Sequence, residues 1–295
     1  MPTKHPAFGI GLAAFGALVL SPDALFMRLS GMEGLQMVAW RGSLMGLLFL
    51  AAWALTRRGA PRARAGDLAA LASGAGLAVL GAQVASVLLF PTGIALAPVA
   101  IMLIGVATSP VWAALLSRYF FGEKTGRATW ITMAVVLVGI AIAVSGHGDV
   151  AISPRALLGA LCGVGVAFML ALNFTILRFV SEIPILLVMG LGSGLAGLLA
   201  LVVSGPAGLT EGHVPAILVT ALLILPISFF ALFLAPRHTA AANVSLLMLL
   251  ETVLGPLWVW VGIGEAPTPR MLAGGALVIG ALAIYLARPK RRARM

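Results

Sequence analysis

Apolar residues fill long stretches of this chain, and polar residues crowd into the short gaps between them. Ten stretches stand out: 7–29, 34–56, 67–88, 95–117, 128–145, 156–178, 185–203, 214–235, 240–263 and 269–286. A membrane-crossing helix takes roughly 20 predominantly apolar residues, so the pattern predicts an all-α integral membrane protein of ten spans. The gaps, such as 57–65, 122–127 and 264–269, are rich in Gly, Pro and charge and too short to hold a soluble domain.

The basic residues orient these spans. Of the 19 Lys and Arg, only Arg28, Arg155 and Arg270 lie toward one side of the membrane, and Arg41 lies deep within a span. All the others lie on the opposite side, and this excess marks the cytoplasmic face and places both termini there. Lys4 and His5 ahead of the first stretch resemble a signal peptide, but 7–29 is too long for a signal core and reads as the first span.

Composition narrows the class further. The chain is 61% hydrophobic and 9% charged, with mean hydropathy +1.10. Soluble domains carry about 25% charged residues, so this much apolar surface calls for lipid around it. The net charge of +10 and pI near 11.4 do not point to nucleic acid, because the basic residues form no aromatic-interleaved face. The one cysteine, Cys162, lies within an apolar stretch and forms no intrachain disulfide.

The chain repeats itself with a change of sense. Phe120-Phe121-Gly122-Glu123 closes the fourth stretch and Gly262-Ile263-Gly264-Glu265 closes the ninth, about half a chain later. The halves are therefore 1–150 and 151–295, with five spans each, and an odd count sends the second half in from the other side. Inverted repeats of this kind are a mark of secondary transporters, whose substrate sits near the midplane between the halves.

The stretch Ser109-Pro110-x-x-Ala113-Ala114-Leu115-Leu116 ending in Gly122-Glu123 resembles the fourth-span signature of the EamA family, in the drug/metabolite transporter superfamily. In its second repeat the family usually reads Leu-Glu-Pro and then Gly-Glu. Here Leu250-Glu251-Thr252 and Gly264-Glu265 stand there, with Thr252 in place of the Pro and Pro256 one turn later. Trp40-Arg41 resembles the second-span Arg of the family. The chain is similar in span count to YddG-type aromatic amino-acid exporters. The resemblance implies export of amino acids or related small metabolites across a cell (inner) membrane. It also implies a cavity formed largely by spans 1, 3, 4, 6, 8 and 9, with no cofactor. The expected partners are a small-molecule substrate and the lipid bilayer, and the expected form is a monomer.

Ionisable groups at membrane depth cost at least about 2.5–3.5 kcal/mol, so each asks for a reason. Glu251 lies near the middle of span nine, where it either carries a proton or substrate ammonium, or stays neutral and fixes packing. Asp23 and Arg41 fall at matching depth in adjacent spans and so can pair, as a structural tie or as an outer gate; Arg28 competes for Asp23. Gln83 and Asn173 are amides that either bind substrate or join helices. Ser109, Trp112 and Phe168 complete the cavity candidates. Pro22, Pro110 and Pro226 predict bends.

Gly159-x-x-x-Gly163, the run Gly190 to Gly197 and Gly274-Gly275 predict close helix contacts. No catalytic or metal site is expected: His5, His147, His213 and His238 lie at or beyond span ends, no nucleophile elbow or phosphate loop appears, and Asp23 has no second Asp. The rival readings are a multidrug, nucleoside or sugar-phosphate carrier of the same superfamily, or an intramembrane enzyme or scaffold. Scarce basic residues at depth count against a sugar phosphate.

Overall fold

The computed structural model describes residues 6–96, 99–145, 154–205, 209, 211–264 and 266–287. Lys4, His147, Glu265 and the basic C-terminal residues fall outside the described set. Within it the chain is helical: α1 (Pro6–Leu20), α2 (Asp23–Ser30), α3 (Gly34–Thr56), α4 (Pro61–Ala72), α5 (Gly74–Leu96), α6 (Val99–Val106), α7 (Ser109–Phe121) and α8 (Arg127–Val144) come first. There follow α9 (Pro154–Phe179), α10 (Ile185–Ser204), α11 (Val214–Val219), α12 (Leu225–Leu234), α13 (Ala241–Met248), α14 (Leu250–Ile263) and α15 (Pro269–Ala287).

Seven of the described stretches are long and apolar enough to cross a membrane: Ala7–Ser30, Gly34–Thr56, Leu157–Phe179, Ile185–Ser204, Val214–Arg237, Ala241–Ile263 and Pro269–Ala287. An eighth arises if α4 and the start of α5, bent by 72° to one another, count as one. The remaining sequence spans, 95–117 and 128–145, coincide with the shorter helices α6, α7 and α8.

The third span departs from its sequence bounds of 67–88. Residues 67–72 belong to α4, and the long apolar helix starts at Gly74 and runs to Leu96. Ser73 makes the break. Its backbone is extended, its Oγ accepts from the Gly76 N–H at 3.1 Å and its carbonyl accepts from Leu77, which caps α5 as a helix start. Asp67 then turns α4 back onto α3: its carboxylate accepts from Trp53 Nε1 at 2.7 Å and from Arg57 Nε at 2.7 Å.

Glycines let the helices meet at backbone distance. A Cβ at Gly42 would lie 2.7 Å from the Ser193 carbonyl oxygen, and one at Gly46 would lie 2.6 Å from Gly194 Cα, so α3 and α10 touch along their length. Gly105 faces Gly163 between α6 and α9, and Gly139 faces Gly274 between α8 and α15, in the same manner.

Pro226 sits just inside the start of α12. A wide π turn over Thr220–Ile224 precedes it, and α11, this turn and α12 form one continuous span. Pro lacks an N–H and crowds the carbonyl four residues back; a widened turn removes that clash without breaking the helix.

Contacts between loops sort the connections into two ends. At one end Arg178 Nη2 pairs with Glu123 Oε1 at 3.2 Å and Arg237 Nη2 donates to the Ile183 carbonyl at 2.5 Å. At the other, Gln36 Nε2 donates to the Glu211 carbonyl at 2.8 Å, Trp40 Nε1 to that of Leu209 at 2.9 Å, and Arg270 Nη1 to that of Ser145 at 3.0 Å. The first end carries Arg57, Arg58, Arg62, Arg64, Arg118 and Arg127, and is called the basic end below.

Candidate functional site

Three apolar stretches are broken partway along their length. The first parts at Ser21-Pro22, between α1 and α2; the fourth parts at Ala107-Thr108, between α6 and α7; the ninth parts at Leu249, between α13 and α14. Pro22 immediately precedes α2 and Pro110 lies in the first turn of α7, where a missing N–H costs nothing. No proline lies within a turn of Leu249, and Pro256 is carried inside α14. Broken helices at membrane depth leave backbone groups and helix ends pointing into the protein, which is how many transporters build their sites.

Asp23 opens α2 at the first break, with its side chain 4% exposed. Arg41 of α3 reaches it, Nη2 to Oδ2 at 2.5 Å, and also donates from Nη1 to Met27 Sδ at 2.9 Å. Asp23 Oδ1 is buried without a partner. Glu251 lies in the first turn of α14, the favourable end of a helix for an anion. Asp23 and Arg41 lie within electrostatic reach of it. The packing explains how: α14 lies against α2, and a Cβ on Gly255, one turn beyond Glu251, would stand 3.3 Å from the Cβ of Ala24. Trp258 Nε1, two turns along α14, donates to Ser21 Oγ at 2.9 Å. Glu251 is half-buried.

The other candidates fall into two further groups. Asn173 Nδ2 of α9 donates to Gln83 Oε1 of α5 at 3.3 Å, and both side chains are buried. These amides join two helices, and Asn173 Oδ1 is left without a partner. Trp112 and Phe168 meet edge to face with centroids 5.5 Å apart, on the wall of a cleft of about 570 Å³ that Leu115, Leu116, Arg118 and Tyr119 also line. Trp112 Nε1 donates to Thr108 Oγ1 at 3.2 Å, within the second break. Ser109 is buried with its hydroxyl unpartnered. The cleft is lined by neither Asp23 nor Glu251, so the aromatic and the carboxylate candidates line different surfaces.

Sequence reasoning did not anticipate Met27, Ser21 or Glu123 as contact residues. Ser21 could have been found from its place beside Pro22. Glu123 was marked by the Gly-Glu pair, which gave no hint of Arg178. Among the described residues no group of three or more His, Cys, Asp or Glu is placed to hold a metal.

Comparison with known proteins bears on this geometry. Residues 7–145 match the model of the EamA-like transporter family. Over 181 residues the chain is 27% identical to the uncharacterized transporter YdfC of Bacillus subtilis (strain 168). That match takes in 59% of this chain and 58% of the relative, so it spans less than two thirds of either. A solved structure described only as a crystal structure of a protein shares the fold, with a TM-score of 0.76, 19% identity and coverage of 94% of this chain and 96% of its own. The chain is thus a multi-pass α-helical membrane protein.

Proposed function

We propose that the whole chain is a secondary transporter that moves amino acids or related small metabolites out of the cell by alternating access. In this reading ten spans form two inverted five-helix halves, 1–150 and 151–295, with both termini at the cytoplasmic face of the cell (inner) membrane. The helix packing supports the repeat. Numbering the spans one to ten, span two (α3) packs on seven (α10) and five (α8) on ten (α15). Span one (α1) packs on eight (α12), and its mirror, six (α9), packs on three (α5). Exchanging the halves leaves these pairings unchanged.

The observation that carries the function is the Asp23–Arg41–Glu251 cluster at the breaks of spans one and nine. Three ionisable side chains held at membrane depth, one with an oxygen still unpartnered, are costly as packing and useful as a binding site. Broken helices let the two halves rock about such a site. At the basic end α7 packs against α13, and Glu123 pairs with Arg178. These contacts join the fourth span to the ninth and to the sixth there and seal that end.

Purified protein in liposomes, tested for saturable flux of labelled aromatic and aliphatic amino acids, decides the matter. Flux that one unlabelled amino acid competes away and that Glu251→Ala abolishes supports the reading. A folded protein that moves none of them removes the amino-acid assignment.

A further inference from the structure

We propose that the outward face of α4 lies in the membrane interface and binds the headgroups of anionic phospholipids through Arg58, Arg62 and Arg64. The inference stands apart from the choice of cargo.

The place of α4 follows from its tethers. Residues 57–60 alone separate it from α3, and Ser73 alone separates it from α5. With 23 residues, α5 reaches roughly 34 Å at helical rise and crosses the hydrocarbon core without help from α4. The 72° bend at Ser73 then lays α4 closer to the membrane plane than to its normal. Asp67 pins it there, accepting from Trp53 Nε1 and from Nε and Nη2 of Arg57.

The two sides of α4 differ in kind. At 3.6 residues per turn Pro61, Ala65, Leu68, Ala69 and Ala72 share one face, and all five are exposed. Arg62 and Arg64, exposed as well, flank that face on either side. Asp67 and Leu71 look the other way, the first buried and the second packed against the core. An exposed apolar strip bordered by arginines is the surface of a helix lying in the interface. Its apolar side meets the acyl chains and its cations stand at headgroup level.

Charge selects the lipid. Residues 57–72 hold four arginines and one acid, Asp67. Asp67 pairs with Arg57, so no acid of this segment offsets Arg58, Arg62 and Arg64. Arg64 is steadied by bonds from Nε to the Arg57 carbonyl at 3.0 Å and from Nη2 to that of Ala54 at 3.5 Å, neither of which cancels its charge. Basic clusters beside a span draw anionic headgroups, and guanidinium groups match phosphate oxygens. A zwitterionic headgroup offers the same phosphate but brings a cation of its own, which the arginines repel.

The test uses the full-length protein with Ala65→Cys and Cys162→Ala, a fluorophore on the introduced thiol, and phosphatidylcholine vesicles. Brominated phosphatidylglycerol should quench the label about five-fold more than brominated phosphatidylcholine at the same low mole fraction. Arg58→Gln combined with Arg62→Gln should abolish that preference. Arg127→Gln, which removes a charge at the start of α8 on the same end, should preserve it. Equal quenching by the two lipids would overturn the proposal. Quenching by neither would also overturn it: a label open to aqueous iodide would place α4 off the membrane, and a label closed to iodide would put another protein surface, such as a second copy, over it. A preference lost to inorganic phosphate but not to sodium chloride of equal ionic strength would make this a site for free phosphate, and would overturn the lipid assignment.

Discussion

Trp258 donates its indole N–H to Ser21 Oγ at 2.9 Å, so the ninth span is stitched to the first at the point where the first is broken. The bond links two segments far apart in sequence, beside Asp23. Trp258→Phe keeps the ring and removes the donor. It should lower thermal stability by about 1 kcal/mol, the net worth of a typical hydrogen bond. Ser21→Ala should cost a similar amount. The double variant should fall short of their sum by more than the usual scatter for independent sites, as residues in contact do. Full additivity in thermal melts would show that the bond contributes nothing.

The Asp23–Arg41 pair makes a sharper prediction. Removing one partner leaves the other charge buried alone, which costs about 3–5 kcal/mol, whereas removing both leaves no orphan. Arg41→Gln and Asp23→Asn should each destabilise the protein strongly, and the combination should be more stable than Arg41→Gln alone. Denaturation of the three variants in detergent measures this. A double variant worse than either single would mean that each residue holds the fold through something other than its partner.

How far the sequence reveals this arrangement depends on what each feature needs. The spans are legible because hydropathy registers along 20 residues. The 72° turn at Ser73 is not, because an average over apolar residues carries no direction; only the capping contacts of Ser73 mark it. Pro22 and Pro110 announce two of the three breaks. The third, at Leu249, has no proline within a turn and becomes visible only through backbone geometry. The depth match of Asp23 and Arg41 could be counted because they lie on neighbouring spans joined by a short loop. The Gln83–Asn173 bond and the approach of Glu251 to Asp23 could not, since each joins residues on spans that are not neighbours in sequence.

Gly46 tests the close contact of α3 with α10. Its missing Cβ would lie 2.6 Å from Gly194 Cα, and because the neighbour is backbone, no rotamer change relieves the clash. Gly46→Ala should cost about 1–3 kcal/mol, the usual range for forcing extra volume into a packed interior. Gly81→Ala, where an added Cβ meets nothing within 4 Å, should be neutral or stabilising. Comparing the two thermal midpoints checks the claim, and equal midpoints would mean that α3 and α10 separate easily.

Asn173 and Gln83 separate adhesion from recognition. As buried partners across α5 and α9 they should contribute about 0.6–2 kcal/mol to stability and little to cargo binding. Asn173→Ala should lower the thermal midpoint and leave the KM of transport within two-fold. A ten-fold rise in KM without loss of stability would move the pair from the scaffold into the binding site.

The last prediction concerns the seal at the basic end. Glu123 follows the end of α7 and Arg178 lies in the last turn of α9, and Arg178 also donates from Nη1 to the Pro236 carbonyl at 3.4 Å. Both side chains are partly exposed, so the pair contributes little to global stability. Its effect should show instead in the balance between two conformations, where a change of about 1.4 kcal/mol alters the populations ten-fold. Ser117, buried behind the pair with its hydroxyl unpartnered, is a place to read that balance. With Cys162 replaced by Ala, a Ser117→Cys protein should react slowly with a membrane-impermeant thiol reagent applied at the basic end. Adding Glu123→Gln should raise that rate several-fold, and the charge exchange of Glu123→Arg with Arg178→Glu should restore most of the protection. Unchanged labelling in Glu123→Gln would assign the seal to the packing of α7 on α13 alone.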